Sequence, residues 1–352
     1  MAQSIFLDGE SLVLPNTIRQ AAIGVEAPDL TGLSSAEAEL ALILQLAIQQ
    51  FVSGVEPSMT VARLARSLHD MRRALHPAVW DEIVPMAQSH PVAEYLLQDP
   101  LTAWSFAKPR GYSGDAHLLD FIYGRPEVQA DIASASKLGR GIYNHTVNAS
   151  SSVAVRERRD ILARRVDEFA GAGASPIDVL AIASGHLREA SLSKALAAKR
   201  VARWVALDQD PLSVGLVARD FTRTVVEAVN GSVRSLLAGK HALGMFDFVY
   251  AAGLYDYLPD PVAIRLAKKC ITMLKPGGTF LFANFSPETD VDGYMETFMN
   301  WRLLLRSEHD MARLATECAR GVDVDVSVWS GSNRSVVYCE ITKKLEGQGP
   351  YR

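Results

Sequence analysis

The run Val179-Leu-Ala-Ile-Ala-Ser-Gly-His-Leu-Arg-Glu189 is an apolar segment that ends in a tight turn at Gly185. A small residue at such a turn lets a ligand approach the backbone closely. Ala183 and Leu187 stand where a dinucleotide-binding fingerprint has its other glycines, so the turn alone reads equally well as a plain strand–helix connection. Asp208 adds weight: it closes the next apolar run, Arg203-Trp-Val-Ala-Leu-Asp208, about 20 residues after the glycine turn. A carboxylate there, with Gln209 beside it, suits ribose hydroxyls; its structural alternative is a helix N-cap, helped by Asp210 and Pro211. Asn230-Gly231-Ser232-Val233 follows a third apolar run, where Asn230 or Ser232 could bond a nucleobase edge and Val233 could pack on its face. The run Phe246-Asp-Phe-Val-Tyr-Ala251 leads into Ala252, Gly253, Tyr255 and Tyr257, and Lys275-Pro-Gly-Gly278 is a turn directly before another strand.

These groups need a scaffold, and the chain supplies an alternation of apolar runs with helical segments from Ile177 onward, the pattern of a parallel α/β sheet. The expected strands are 177–182, 203–207, 225–229, 246–251 and 279–284. A hairpin then pairs 322–329 with 335–343 around Ser330-Gly-Ser-Asn333. Residues 1–33 read as an irregular arm with one short helix. Helices are expected from a hydroxyl cap at Ser34 to Phe51, over 59–75, 77–88 and 151–170. The expected organisation is a helical N-terminal lid or cap over 1–150 and a ligand-binding domain over 151–352.

With a net charge of −4 and pI near 6.1, the chain lacks the clustered cations that nucleic acid requires; Arg156, Arg158 and Arg159 are offset by neighbouring acids. No run approaches the roughly 18 apolar residues of a membrane span. Early acids argue against a signal peptide. Cys270, Cys318 and Cys339 are scattered, without CxxC spacing, and fit a reducing cytoplasm. The eight histidines show no metal-ligand spacing. The expected partner is a small molecule, with no nucleic acid, membrane or metal, and oligomeric state is left open.

In this order, the Gly185 turn, Asp208, Asn230-Gly-Ser-Val233, Phe246-Asp-Phe-Val-Tyr250 and Leu274-Lys-Pro-Gly-Gly-Thr-Phe280 resemble the class I S-adenosylmethionine (SAM)-dependent methyltransferases, over roughly residues 155–343. The chain departs from that pattern at Ala181, where many members carry an acid, and at Ala183, where many carry glycine. Further segments widen the likeness: Lys108-Pro-Arg-Gly-Tyr-Ser-Gly-Asp115, Ser152-Val-Ala-Val-Arg-Glu-Arg-Arg159, Ala252-Gly-Leu-Tyr-Asp-Tyr-Leu-Pro259 and Asn284-Phe-Ser286. These resemble a bacterial group that includes 3-hydroxy fatty acid methyl ester biosynthesis proteins and azetidine-2-carboxylate synthases.

The resemblance implies a Rossmann-like sheet of five parallel strands plus an antiparallel hairpin, and SAM as methyl donor or as the substrate itself. Tyrosine faces hold a sulfonium at about 0.5–2 kcal/mol each. The candidates are Tyr112, Tyr143, Tyr255 and Tyr257, with Asn144 beside Tyr143; each tyrosine has a core or surface role as its alternative. Arg156 or Arg110 is the candidate clamp for the methionine carboxylate. Asp115 is the candidate partner for the amino group or for one of those arginines. His186 and, more weakly, His145 are watched as bases, with a structural histidine the plainer reading of both. Three functions follow: methyl transfer to a small acceptor, for which a carboxylate needs no base; intramolecular cyclisation of SAM with release of methylthioadenosine; or SAM binding without chemistry. The prior of the fold favours the first.

Overall fold

The computed structural model describes residues 29–345, so the arm expected over 1–33 falls almost wholly outside it. Among the described residues the chain forms two compact units. One holds the chain up to Arg156 together with Glu288–Arg302, and the other holds Glu157–Pro287 and the chain from Leu303 onward. The division falls at 156/157 rather than at the expected 150/151, and the excursion 288–302 belongs to the first unit.

The first unit is helical: α1 (Leu33–Val52), α2 (Pro57–Ala74), α3 (Pro77–Ser89), α4 (Val92–Leu96), α5 (Pro100–Ala107), α6 (Ala116–Tyr123), α7 (Gln129–Ser134) and α8 (Lys137–Thr146). α9 (Ser150–Ala172) carries the chain onward. Pro57, Pro77 and Pro100 each open a helix, where the missing N–H costs nothing. The hydroxyl cap expected at Ser34 is not formed; the N-cap of α1 is Gly32, two residues earlier, at φ 84° and with no side-chain cap. The glycine-bearing stretch 139–148 is mostly helix, because Gly139 and Gly141 are used for close packing. A side chain at Gly139 would run into the backbone of Gln98, and one at Gly141 into the ring of Pro57.

The second unit holds β1 (Ile177–Ile182), α10 (Lys194–Ala197), β2 (Val201–Asp208), α11 (Pro211–Asp220), β3 (Val226–Asn230), α12 (Val233–Leu237), β4 (Phe246–Ala251), α13 (Asp260–Thr272) and β5 (Leu274–Phe285). After the excursion, which carries α14 (Asp292–Thr297), come α15 (Glu308–Ala319), β6 (Val324–Ser330) and β7 (Val336–Lys343). The seven-stranded sheet has the order β3-β2-β1-β4-β5-β7-β6. The first five strands pair in parallel, β7 runs antiparallel to β5, and β6 and β7 form the expected hairpin. This is the Rossmann-like arrangement the sequence implied. β1 and β4 are buried almost end to end, as strands covered on both faces must be. Among the described residues no helix is long and apolar enough to cross a membrane.

Lys275-Pro-Gly-Gly278 makes a bulge inside β5, with Gly277 at φ 81° and Gly278 pressed against the carbonyl of Phe246. Lys275 Nζ lies 2.7 Å from both Asp178 Oδ2 and Asp247 Oδ2, at the starts of β1 and β4. That motif therefore fixes the sheet at the edge opposite the strand C-termini.

In the helical unit the excursion is held by buried polar contacts. Gly293 brings α14 against the α2 backbone, where an added Cβ would lie 2.5 Å from Leu68. His69 Nδ1 donates to Asp292 (2.7 Å), and Arg72 bonds both Asp292 and Glu296 at 2.8 Å. The Trp80 indole donates to Glu296 (2.7 Å), and Arg302 pairs with Asp81 at 2.5 Å.

Candidate functional site

The strand order reverses direction between β1 and β4, so the connections leaving their C-terminal ends part to opposite faces and leave a crevice, the usual ligand position in open α/β sheets. The turn after β1 lies there. Three of its residues are left-handed: Ala183 at φ 52°, Gly185 at 54° and Leu187 at 50°. The backbone thus takes the glycine conformation at two positions where the sequence has none. For an L-residue this costs roughly 1–2 kcal/mol. Ala183 is exposed, so Ala183→Gly gives up no burial. Glycine's extra freedom in the unfolded chain offsets about 0.4–1 kcal/mol of the relief. The expected result is a gain in unfolding free energy of about 0.5–1 kcal/mol, read by urea titration; a loss would mean the turn is not strained at Ala183.

Asp208 ends β2 and fastens this turn. Its Oδ2 accepts the Gly185 N–H (2.7 Å), its Oδ1 accepts the Asp210 N–H (2.8 Å), and its carbonyl accepts the Gly231 N–H (2.9 Å). The cap of α11 belongs instead to Asp210, which accepts Leu212 N–H. Asp208 is buried, and burial raises its pKa above the usual carboxylate value against the pull of the two N–H donors. Asn230 pairs with Asp208 in register and is exposed. Ser232 is committed to capping α12, its hydroxyl accepting Ser235 N–H while Ser235 reaches back, which leaves Asn230 as the amide open to a ligand. Gly231 is small because His241 Nε2, bonded to Ser235 at 2.8 Å, would lie 2.6 Å from a Cβ. Gln209 is half-buried and Val233 nearly covered.

At the end of β4, Ala252 is buried and Gly253 half-buried. Tyr255, expected at the sulfonium, is a core residue: it is fully buried, stacks on Phe282 with centroids 4.4 Å apart, and donates its hydroxyl to Ala263 O. Tyr257 is half-buried and stays a candidate. Two buried acids share this end of the sheet. Asp256 accepts Phe285 N–H (2.6 Å), and burial pushes its pKa up to about 6 despite the nearby Arg158 and Arg306. Glu189 accepts the Tyr250 hydroxyl (2.5 Å), and burial raises its pKa too.

Arg158 is the residue that sequence reasoning passed over. It is 6% exposed, its Nη1 has no hydrogen-bond partner among the described residues, and its nearest acid oxygen, Asp256 Oδ2, is 3.9 Å away. The signal was present: Arg158 is the one cation in a buried stripe of α9 formed by Val155, Ile161, Leu162 and Val166. Arg156, two residues back, points about 200° away around the helix.

The remaining candidates belong to the helical unit. Arg156 does not act as a free clamp, since its Nη1 donates to Ile122 O and Val147 O, carbonyls at the ends of α6 and α8. Asp115 is the N-cap of α6: it accepts His117 N–H, Leu118 N–H and the Trp104 indole, with Arg110 Nε at 3.8 Å. Tyr143 is buried and donates to Phe121 O (2.7 Å), whereas Asn144 beside it is exposed. Tyr112 is half-buried in the α5–α6 loop, and His145 is half-buried in α8. Among the described residues no three His, Cys, Asp or Glu side chains gather as a metal-binding group.

No family model and no curated protein matches the chain. Solved structures do. A possible exported protein from Bordetella parapertussis is 16% identical, with a TM-score of 0.57, over 88% of this chain and 97% of that one. A SAM-dependent methyltransferase from Leishmania major is 17% identical, with a TM-score of 0.39, over 63% of this chain and 83% of that one. The N-methyltransferase NodS from Bradyrhizobium japonicum, in complex with S-adenosylhomocysteine, is 15% identical, with a TM-score of 0.40, over 64% and 99%. At these identities the likeness to the Bordetella protein is one of fold.

Proposed function

We propose that the chain binds SAM in the strand-end crevice and directs its methyl group to a small-molecule acceptor. The observation that carries this is Asp208, fixed at the end of β2 by the left-handed turn at the switch point. An ionised carboxylate has about four acceptor sites. Backbone N–H groups occupy one on each oxygen, so each oxygen keeps one for a ribose hydroxyl. Asn230, exposed and in register beside it, is the candidate amide for the adenine edge with Val233 as the candidate apolar neighbour, and half-buried Tyr257 is the candidate ring for the cation.

SAM supplies an activated methyl carbon. The chain's own contribution is alignment and exclusion of water, which suffice for an in-line displacement at carbon when the acceptor is a carboxylate. That makes a carboxylic acid, including a 3-hydroxy acid, the first acceptor class to try. A setting in secondary metabolism or signalling and a cytoplasmic location complete the proposal.

The test uses purified protein and SAM alone, then with a panel of carboxylic acids. Without acceptor, SAM is expected to persist at its spontaneous rate of decay; with the right acceptor, S-adenosylhomocysteine accumulates. Methylthioadenosine released in step with a cyclic amino acid would overturn methyl transfer and establish cyclisation, the reaction of the azetidine-2-carboxylate synthases in the resembling group.

A further inference from the structure

Arg158 and Asp256 are opposite charges buried side by side that make no hydrogen bond with each other. They are 6% and 2% exposed, and 3.9 Å separates Nη1 from Oδ2. A buried ion pair recovers its desolvation cost only with close geometry and satisfied donors. The same unit can meet that standard: Arg306, equally buried, donates to Tyr255 O, Leu258 O, Asn284 Oδ1 and Asp260 Oδ1, all within 2.8 Å. Arg158 is left short of partners where Arg306 is not.

Its guanidinium lies over the Phe285 ring, 6.0 Å from the centroid, and borders Gly253. A Cβ added to Gly253 would meet only Arg158, with Nη2 at 3.4 Å and the guanidinium carbon at 3.9 Å. Gly253 follows β4 at the switch point, so the unfilled side of this glycine is where a ligand comes closest to the backbone. Asp256 holds Phe285 N–H on Oδ1 and turns Oδ2 toward the arginine. The charged groups around the pair are Glu189 and Arg159 near Arg158, and Arg306 near Asp256.

We infer that Arg158 and Asp256 receive the zwitterionic α-amino acid end of the substrate, the guanidinium taking its carboxylate and Asp256 its ammonium. This rests on the nucleoside site proposed at Asp208. It adds a reason for the reaction's direction. An ammonium held by an ionised carboxylate keeps its proton, so its nitrogen has no lone pair with which to attack the substrate's own chain. The external acceptor then supplies the electron pair for the new bond to the methyl carbon. The carbon–sulfur pair stays on sulfur, and the sulfonium becomes a thioether.

Calorimetry with three ligands tests this: S-adenosylhomocysteine, methylthioadenosine, which lacks the amino acid, and the deaminated analogue 5′-(3-carboxypropylthio)-5′-deoxyadenosine. Wild type should bind S-adenosylhomocysteine at least tenfold more tightly than methylthioadenosine. Arg158→Met should lose roughly ten- to hundredfold for S-adenosylhomocysteine and nothing for methylthioadenosine, whose binding also reports an intact fold. Should the Met variant not fold, Arg158→Lys carries the same comparison, since a point charge cannot replace the fork. Asp256→Asn should weaken S-adenosylhomocysteine but not the deaminated analogue. If wild type binds none of the three, the nucleoside site itself is wrong. If it binds them and the Arg158 variants change both nucleosides equally or neither, the nucleoside site stands and the zwitterion site is refuted.

Discussion

Replacing Asp208 with alanine is expected to weaken S-adenosylhomocysteine binding by about 1–3 kcal/mol, because two ribose hydroxyls lose a charged acceptor. The structure adds a second consequence. Gly185 N–H and Asp210 N–H lose their acceptors as well, so the unliganded protein should be destabilised. That loss is softened because burial of Asp208 already disfavours its charge and raises its pKa. The same shift sets the sign with pH. A carboxyl raised in the folded state favours folding most when protonated, so its contribution is largest below the unfolded-state value and is lost as pH rises through the folded one. Stability of the free protein should therefore gain from Asp208 on acidification, while ligand affinity falls in the same window. Calorimetry paired with urea unfolding separates the two effects; an intact variant with wild-type affinity removes Asp208 from the site.

The largest loss of stability is expected at a residue with no part in the proposed chemistry. Glu296→Ala should cost about 3–5 kcal/mol, the range for deleting one partner of a buried charge network. Glu296 holds Arg72 at 2.8 Å and the Trp80 indole at 2.7 Å, with Arg302 Nε at 3.6 Å. Removing it leaves Arg72 to Asp292 alone and the buried indole N–H without its acceptor. Glu296→Gln keeps an acceptor for the indole and should cost less. Urea unfolding followed by tryptophan fluorescence measures both, and a loss under 1 kcal/mol for the alanine variant would show that packing at Gly293, not charge, holds the excursion.

Much of the sheet was legible in the sequence by itself. β1 and β4 occupy the expected residues, Ile177–Ile182 and Phe246–Ala251, because a strand buried on both faces is written as an unbroken apolar run. The hairpin and the terminal position of Asp208 on its strand were likewise local properties. What tertiary structure decided depends on partners far away in the chain. Gly139 could be placed in a helix only once Gln98 lay against it, and residues 288–302 could be assigned to the helical unit only once Arg72 and Trp80 met Asp292 and Glu296. Tyr255 went into the core because Phe282 covers its ring, and Asp115 became a cap because α6 begins directly after it. Arg156 and Arg158 differ by two positions in sequence, yet helical rotation sends one to carbonyls at helix ends and the other to the strand ends. Composition and spacing name the groups able to do chemistry; the phase of each helix and the burial of each partner determine which of them remain available for it.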